Sequence, residues 1–139
     1  GKQKQHTLKS QLVIDLATFE IRCVVNGSGR RHDYKLFVDS KVRFHPETES
    51  LEDSGYQGIS KLHRNCRLPK KKPKKGKLSP EDKDYNRSLA SRRIAIEHVN
   101  RRLKVFRIFS QRYRNRRKRF GLRCHLIAGI YNYDLQKAN

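Results

Sequence analysis

No packed element can pass through residues 68–77. The run Leu-Pro-Lys-Lys-Lys-Pro-Lys-Lys-Gly-Lys combines like charges with two prolines and a glycine. Its charges repel and its prolines break both helix and sheet hydrogen bonding, so residues 68–78 are expected to form a solvated, mobile loop. Everything that packs lies on either side of it, within a chain of 139 residues that suits one domain with a real core.

The N-terminal side reads as β structure. Leu8, Leu12, Ile14 and Leu16 occupy alternating positions, with residues 11–14 as the apolar centre of a strand. Thr18-Phe19-Glu20 predicts a turn, and Ile21, Cys23 and Val25 then alternate with Arg22 and Val24 in a second strand. The two are close enough to pair as a hairpin, ended by the turn residues Asn26-Gly27-Ser28-Gly29. After Arg31 and His32, Leu36, Phe37 and Ser40 fit a short helix, with Asp33 placed where a first-turn acid favours the helix dipole. Pro46 breaks that pattern. A short strand at 49–53 runs into the glycine-punctuated segment Ser54-Gly55-Tyr56-Gln57-Gly58.

Beyond the lysine run the pattern is helical. Ser79-Pro80-Glu81-Asp82 supplies a cap, a proline at the first helical position and first-turn acids. The spacing of Ile96, Val99, Leu103 and Phe106 carries the helix to about Phe106 and gives it one apolar stripe. Arg93, Glu97, Asn100, Arg101 and Lys104 share a polar face. A last helix is expected over about 115–135, with Leu122, Leu126, Ile130 and Tyr133 at helical spacing, after the basic run 112–119.

Charge narrows the function. The formal net charge is +21, from 34 Lys and Arg against 13 Asp and Glu. Such an excess favours polyanions: nucleic acid first, an anionic membrane surface second. The membrane reading lacks an amphipathic helix with bulky apolar anchors, a spanning segment and a signal peptide. Cys23, Cys66 and Cys124 are far apart and odd in number, which suggests reduced thiols rather than a zinc finger or a disulfide framework. With no methionine and Gly1 first, the sequence is expected to start inside a longer reading frame.

Two acids stand out. Asp53 ends a strand and enters a glycine-rich loop, where it can bind a metal or make an Asx turn with Gly55. Glu97 is a lone acid among bases, either paired with Arg101 one turn on or offered to a metal over a phosphate-attracting surface. His32-Asp33 lacks the further ligands of a metal phosphohydrolase and reads as a helix start. His98 turns about 100° from Glu97, toward the apolar side, as a structural histidine. Tyr56 and Gln57 either line the site or fold the loop.

In their order along the chain these segments resemble the DDE-type transposases of bacterial insertion sequences. Gly29 to Phe37 is similar to their G-x-x-H-D-x-x-L-F segment. Asp53-Ser54-Gly55-Tyr56-Gln57-Gly58 is similar to D-x-G-Y-x-G, which carries the second catalytic acid. Arg93 to Lys104 is similar to R-x-x-x-E-x-x-x-x-x-L-K, which carries the third. Residues 113–117 and 126–132 resemble the closing helix.

The resemblance implies a ribonuclease-H-like α/β fold, a mixed sheet flanked by helices, spread over residues 1–139 as a partial catalytic domain. By that likeness the two N-terminal strands are the second and third of the sheet. The first strand and first catalytic aspartate are then expected upstream, because Asp15 fits a β-turn better. The likeness also implies a two-metal site for Mg²⁺ or Mn²⁺ held by Asp53 and Glu97, and metal-dependent DNA cleavage and strand transfer at transposon ends. Without the first aspartate, residues 1–139 are expected to be inactive alone. DNA backbone contacts are expected from Lys70, Lys71, Lys72, Lys74, Lys75, Arg93, Arg101, Lys104, Arg112, Arg114, Arg116, Arg117 and Lys118. The implied partners are transposon-end and target DNA, with room for a homo-oligomer, in the bacterial cytoplasm at the nucleoid. The composition alone fits a non-catalytic RNA- or ribosome-binding protein equally well.

Overall fold

The structure is a computed structural model that describes residues 8–103 and 119–138. It is mixed α/β, with small sheets and helices, and it divides into two compact units. One is drawn from Gly1–Arg31 and Ala95–Asn139, the other is His32–Ile94.

The first unit is built on the expected hairpin. Strands β1 (Leu8–Ile14) and β2 (Ile21–Ser28) pair antiparallel. The connection is a turn organised by Asp15, whose Oδ1 accepts from the Ala17 and Thr18 amides at 2.9 and 3.4 Å. Its Oδ2 accepts from Arg22 at 3.1 Å, and these donors hold the Asp15 carboxyl below its ordinary range. That is the turn role, as the sequence favoured.

One expectation about the hairpin fails. Cys23 pairs with Val13 and Ile21 with Ile14, so Arg22 is skipped. This irregularity shifts the side-chain parity by one residue. The buried residues of the strand are Ile21 and Val24, not Ile21, Cys23 and Val25.

Helices α3 (Ile94–Leu103) and α4 (Phe120–Lys137) contribute the rest of this core; the two helices that precede them in the chain belong to the other unit. Val99 and Leu103 are each 1% exposed, as the predicted stripe requires, and Ile96 is half-buried. Phe106 lies outside the described residues. On α4 the packed face is Phe120, Cys124, Ala128 and Tyr131. The face expected from Leu122, Leu126, Ile130 and Tyr133 is on the other side of the helix, 72, 63, 42 and 58% exposed. Both stripes have helical spacing, so periodicity could not choose between them.

Neighbouring polar side chains of α4 bind the hairpin backbone. Asn132 accepts from the Ile21 amide and donates to the Ile21 carbonyl, both at 2.8 Å, where the irregular pairing leaves that backbone. Tyr131 donates to the Phe19 carbonyl at 3.0 Å, beside a turn in which Phe19 has a φ of 60°.

The second unit has little regular structure. Helix α1 spans Asp33–Ser40, with Asp33 in its first turn as expected. Strand β3 (Ser50–Leu51), shorter than the predicted 49–53, pairs parallel with β4 (Cys66–Arg67), which the sequence did not suggest. Helix α2 (Pro80–Arg92) starts with the predicted cap: the Ser79 hydroxyl accepts from the Asp82 amide at 3.1 Å. It does not run on to Phe106. The Arg93 amide is shared between the Leu89 and Ala90 carbonyls, a tightened last turn that ends α2 before α3 begins. Glu49 fastens α2 to the small sheet by pairing with Arg92 and with Arg67, the latter at 2.9 Å.

Candidate active site

Asp53 follows β3 in extended conformation and caps a 3₁₀ turn over Ser54–Tyr56. Its Oδ1 accepts from the Gly55 amide at 2.7 Å, so the Asx-type turn is real. The side chain is nonetheless exposed. Among the described residues no Lys or Arg forms an ion pair with it, in a chain of +21 net charge. A carboxylate anchored by one oxygen and open at the other is suited to receive a cation.

The loop is held from below by α1. Phe37, 5% exposed, meets Tyr56 edge-on with ring centroids 6.4 Å apart and stacks on Phe44 at 5.7 Å. Ile59, 1% exposed, anchors the next 3₁₀ turn, Ile59–Lys61. Between them Gly58 has a φ of 104°, and a Cβ there would sit 3.1 Å from the Tyr34 ring. Both the backbone conformation and the ring demand glycine at this corner.

Gly55 is glycine for a different reason. A Cβ there would lie 2.6 Å from Asp33 Oδ2 and 3.1 Å from Asp53 Oδ1. The first-turn acid of α1 therefore reaches the same point as Asp53. Tyr56 senses the convergence: burial first, then the charges of Asp33, Asp53 and Glu52, push its phenol far above the ordinary tyrosine range. It remains a neutral hydrogen-bond donor and does not serve as a base at neutral pH.

Glu52, beside Asp53, is a buried acid that no sequence pattern singles out. It is 8% exposed, and neither carboxylate oxygen has a hydrogen-bond partner. Burial raises its pKa, opposed by the nearby Ser50 hydroxyl and His63, although Ser50 is not within hydrogen-bond geometry. Its only signal in the sequence is a place beside a two-residue strand.

Glu97 lies on α3, in the first unit, and is exposed. Among the described residues no ion pair joins it to Arg101, so the salt-bridge alternative is not realised. His98 is also exposed, contrary to the structural role expected of it, because the buried face of α3 is set by Val99 and Leu103.

The donors at Asp53 and Asp33 are all oxygen, which fits a hard divalent cation, and such a cation takes few protein ligands. Among the described residues no group of three or more His, Cys, Asp or Glu is placed to hold a metal ion. Cys23, Cys66 and Cys124 are free, with thiol pKa values raised by burial.

Of the basic residues expected to meet DNA, Lys70, Lys71, Lys72, Lys74 and Lys75 are exposed, as is Arg101. Lys70 is not simply solvated. Asn86 of α2 accepts from its amide at 2.7 Å and donates to its carbonyl at 3.0 Å, and its ammonium lies 5.7 Å from the Tyr85 ring centroid. Arg93 is half-buried, with its Nε unpartnered. Lys104, Arg112, Arg114, Arg116, Arg117 and Lys118 lie outside the described residues. No helix among the described residues is long and apolar enough to cross a membrane.

The model of the DDE superfamily endonuclease family matches residues 1–132. The chain belongs to this family of insertion-sequence transposases. It is 56% identical over 135 residues, 97% of its length, to a protein of Microchaete diplosiphon named "Probable transposase for insertion sequence element IS702". It spans 49% of that relative's length. No solved structure matches it. The family membership gives no support to the RNA- or ribosome-binding alternative. Divalent-metal dependence is what this endonuclease family implies.

Proposed function

We propose that this chain is part of the catalytic core of an insertion-sequence transposase, which cleaves and joins DNA at the ends of its element. The observation that carries the reading is the family match over residues 1–132. In this reading residues 1–139 form a partial catalytic domain of ribonuclease-H-like fold, to which β1 and β2 give two strands. Asp53 and Glu97 are its second and third catalytic carboxylates. A pair of Mg²⁺ or Mn²⁺ ions would activate the attacking oxygen and stabilise the leaving one.

The chain's own residues then have separate tasks. Asp53 offers its open oxygen while the Gly55 amide fixes the other. Tyr56 supplies a neutral phenol beside the carboxylates. Lys70, Lys71, Lys72, Lys74 and Lys75, with Arg93, Arg101, Lys104, Arg112, Arg114, Arg116, Arg117 and Lys118, hold the phosphate backbone without reading sequence. The work takes place on chromosomal DNA in the cytoplasm, and self-association would bring two element ends together. In this reading Asp15 serves its turn and is not the family's first carboxylate, and residues 1–139 alone are expected not to cut.

The test is Mn²⁺-dependent cleavage of a DNA hairpin or nicked duplex, comparing these residues with a chain extended upstream by a strand carrying the first aspartate. Cleavage is expected only from the extended chain, and is expected to vanish in Asp53→Asn and in Glu97→Gln. Silence from both chains, with tight salt-dependent RNA binding, would overturn the reading.

A further inference from the structure

Helix α4 has two apolar faces, and its own unit covers one of them. Phe120, Cys124, Ala128 and Tyr131 are buried in the core. Leu122, Leu126, Ile130 and Tyr133 lie on the other side of the helix, and all are exposed. Scattered exposed apolar residues are ordinary, but four in one stripe form a contact surface. The exposed residues of α4 between Leu122 and Tyr133 include no Lys, Arg, Asp or Glu. In a chain with 34 Lys and Arg among 139 residues, such a face is unsuited to a polyanion.

Gly129 sits within this stripe and is itself exposed. A glycine in mid-helix weakens the helix. Neither reason that fixes Gly58 applies to it: the backbone is helical, and a Cβ there would meet nothing within 4 Å. What a glycine supplies at such a point is room for a second helix to approach closely.

The flanks of the stripe say which helix that is. Arg119 and Arg123 lie at the N-terminal end of α4, and its one acid, Asp134, lies toward the C-terminal end. Asp134 is exposed and forms no ion pair among the described residues. Arg123 is half-buried and also interacts within its own chain. Arg123 and Asp134 are eleven residues apart, close to three whole turns, so they share one flank of the helix. Leu122 and Tyr133 have the same spacing. A copy laid antiparallel about a two-fold axis near Gly129 therefore sets Asp134 of each chain against Arg123 of the other. The same axis sets Leu122 against Tyr133 and Leu126 against Ile130. The surface is complementary to itself, as a two-fold interface requires.

We propose that the outer face of α4 is a self-association surface, on which a second copy of this chain packs antiparallel with the helices crossing at Gly129. It gives a place to the self-association of the transposase reading and uses none of that reading's catalytic residues.

The experiment is sedimentation velocity on the full 139-residue chain after nuclease treatment, without DNA. A dimer is expected at concentrations on the order of 10–100 μM, because one helical stripe makes a small interface. Raising the salt is expected to preserve or strengthen it, since two chains of +21 repel less when screened. Leu126→Glu and Ile130→Glu, both at exposed positions, are each expected to weaken it by about tenfold or more. Leu62→Glu, at an exposed apolar residue of the other unit, is expected to leave it unchanged. On mild oxidation Gly129→Cys is expected to cross-link the two copies, whereas Lys137→Cys is not, because antiparallel packing separates like ends of the helices. A chain that stays monomeric, or forms open-ended aggregates, would overturn the proposal and leave the stripe to a different partner. A dimer that dissolves in salt would overturn it too, since bridging by nucleic acid behaves in that way. So would a dimer that survives both glutamate variants, or one that cross-links through Lys137→Cys as readily as through Gly129→Cys. None of these outcomes bears on Asp53 and Glu97, which the cleavage assay tests separately.

Discussion

The two units are stabilised by different means. The unit built on the hairpin buries Ile21, Val24, Val99, Leu103, Phe120, Cys124, Ala128 and Tyr131 in one apolar cluster. The unit that carries Asp53 buries only Leu36, Phe37, Ile59 and Leu89 among its hydrophobic residues, and with them the polar Glu52 and His63. Its strands are two residues long, and it is fastened by specific polar links: Glu49 to Arg67 and Arg92, His63 to the Thr48 carbonyl, Asn86 to Lys70. A region with few apolar contacts opens locally at lower cost than one with a continuous core. The acid loop thus sits where the chain can adjust around a ligand. Glu97 is borne on a helix whose Val99 and Leu103 are locked in the apolar cluster.

That contrast can be broken most directly at Leu103. Leu103→Ala empties a site 1% exposed and is expected to cost about 2–5 kcal/mol. Amide hydrogen exchange should then accelerate in β1 and β2 far more than in β3 and β4. Equal acceleration in both units would mean that they unfold as one, and the contrast would fall.

A sharper test uses two asparagines with the same task. Asn132 and Asn86 each clasp one residue's backbone amide and carbonyl, the first in half-buried surroundings and the second in exposed ones. Asn132→Ala leaves the Ile21 backbone unpaired and is expected to cost about 1–3 kcal/mol by chemical denaturation. Asn86→Ala frees backbone that water can solvate, and a cost well below that of Asn132→Ala is expected. Equal losses would show that the acid-loop unit depends on its polar links more than burial suggests.

The smallest effect is in pH. Arg92 and then Arg67 hold the Glu49 carboxyl below its ordinary value. A group with a depressed folded-state pKa contributes stability above its unfolded pKa and loses it as pH falls through the folded one. Acidification below the usual glutamate range should therefore loosen the β4–α2 region, and Glu49→Gln should remove that part of the pH dependence. Identical acid profiles for the variant and the wild type by exchange at residues 66–92 would show the pair to be idle.

What the sequence determined by itself was local. The turn after β1, the Ser79 cap, the first-turn acid of α1 and the glycine corner at Gly58 all follow from φ/ψ preferences and from hydrogen bonds between near neighbours. The mixed α/β class and the family motifs were legible for the same reason, as ordered short segments. Tertiary structure decided whatever depended on a distant partner. Both stripes of α4 have helical spacing, and only contact with the hairpin selected Phe120, Cys124, Ala128 and Tyr131 for burial. The parity of β2 turned on one skipped residue, Arg22. The approach of Asp33 to Asp53 across Gly55 joins segments about twenty residues apart, between which Phe37 packs against Tyr56. Periodicity specifies which side chains share a face, but the free energy of burial depends on what that face meets.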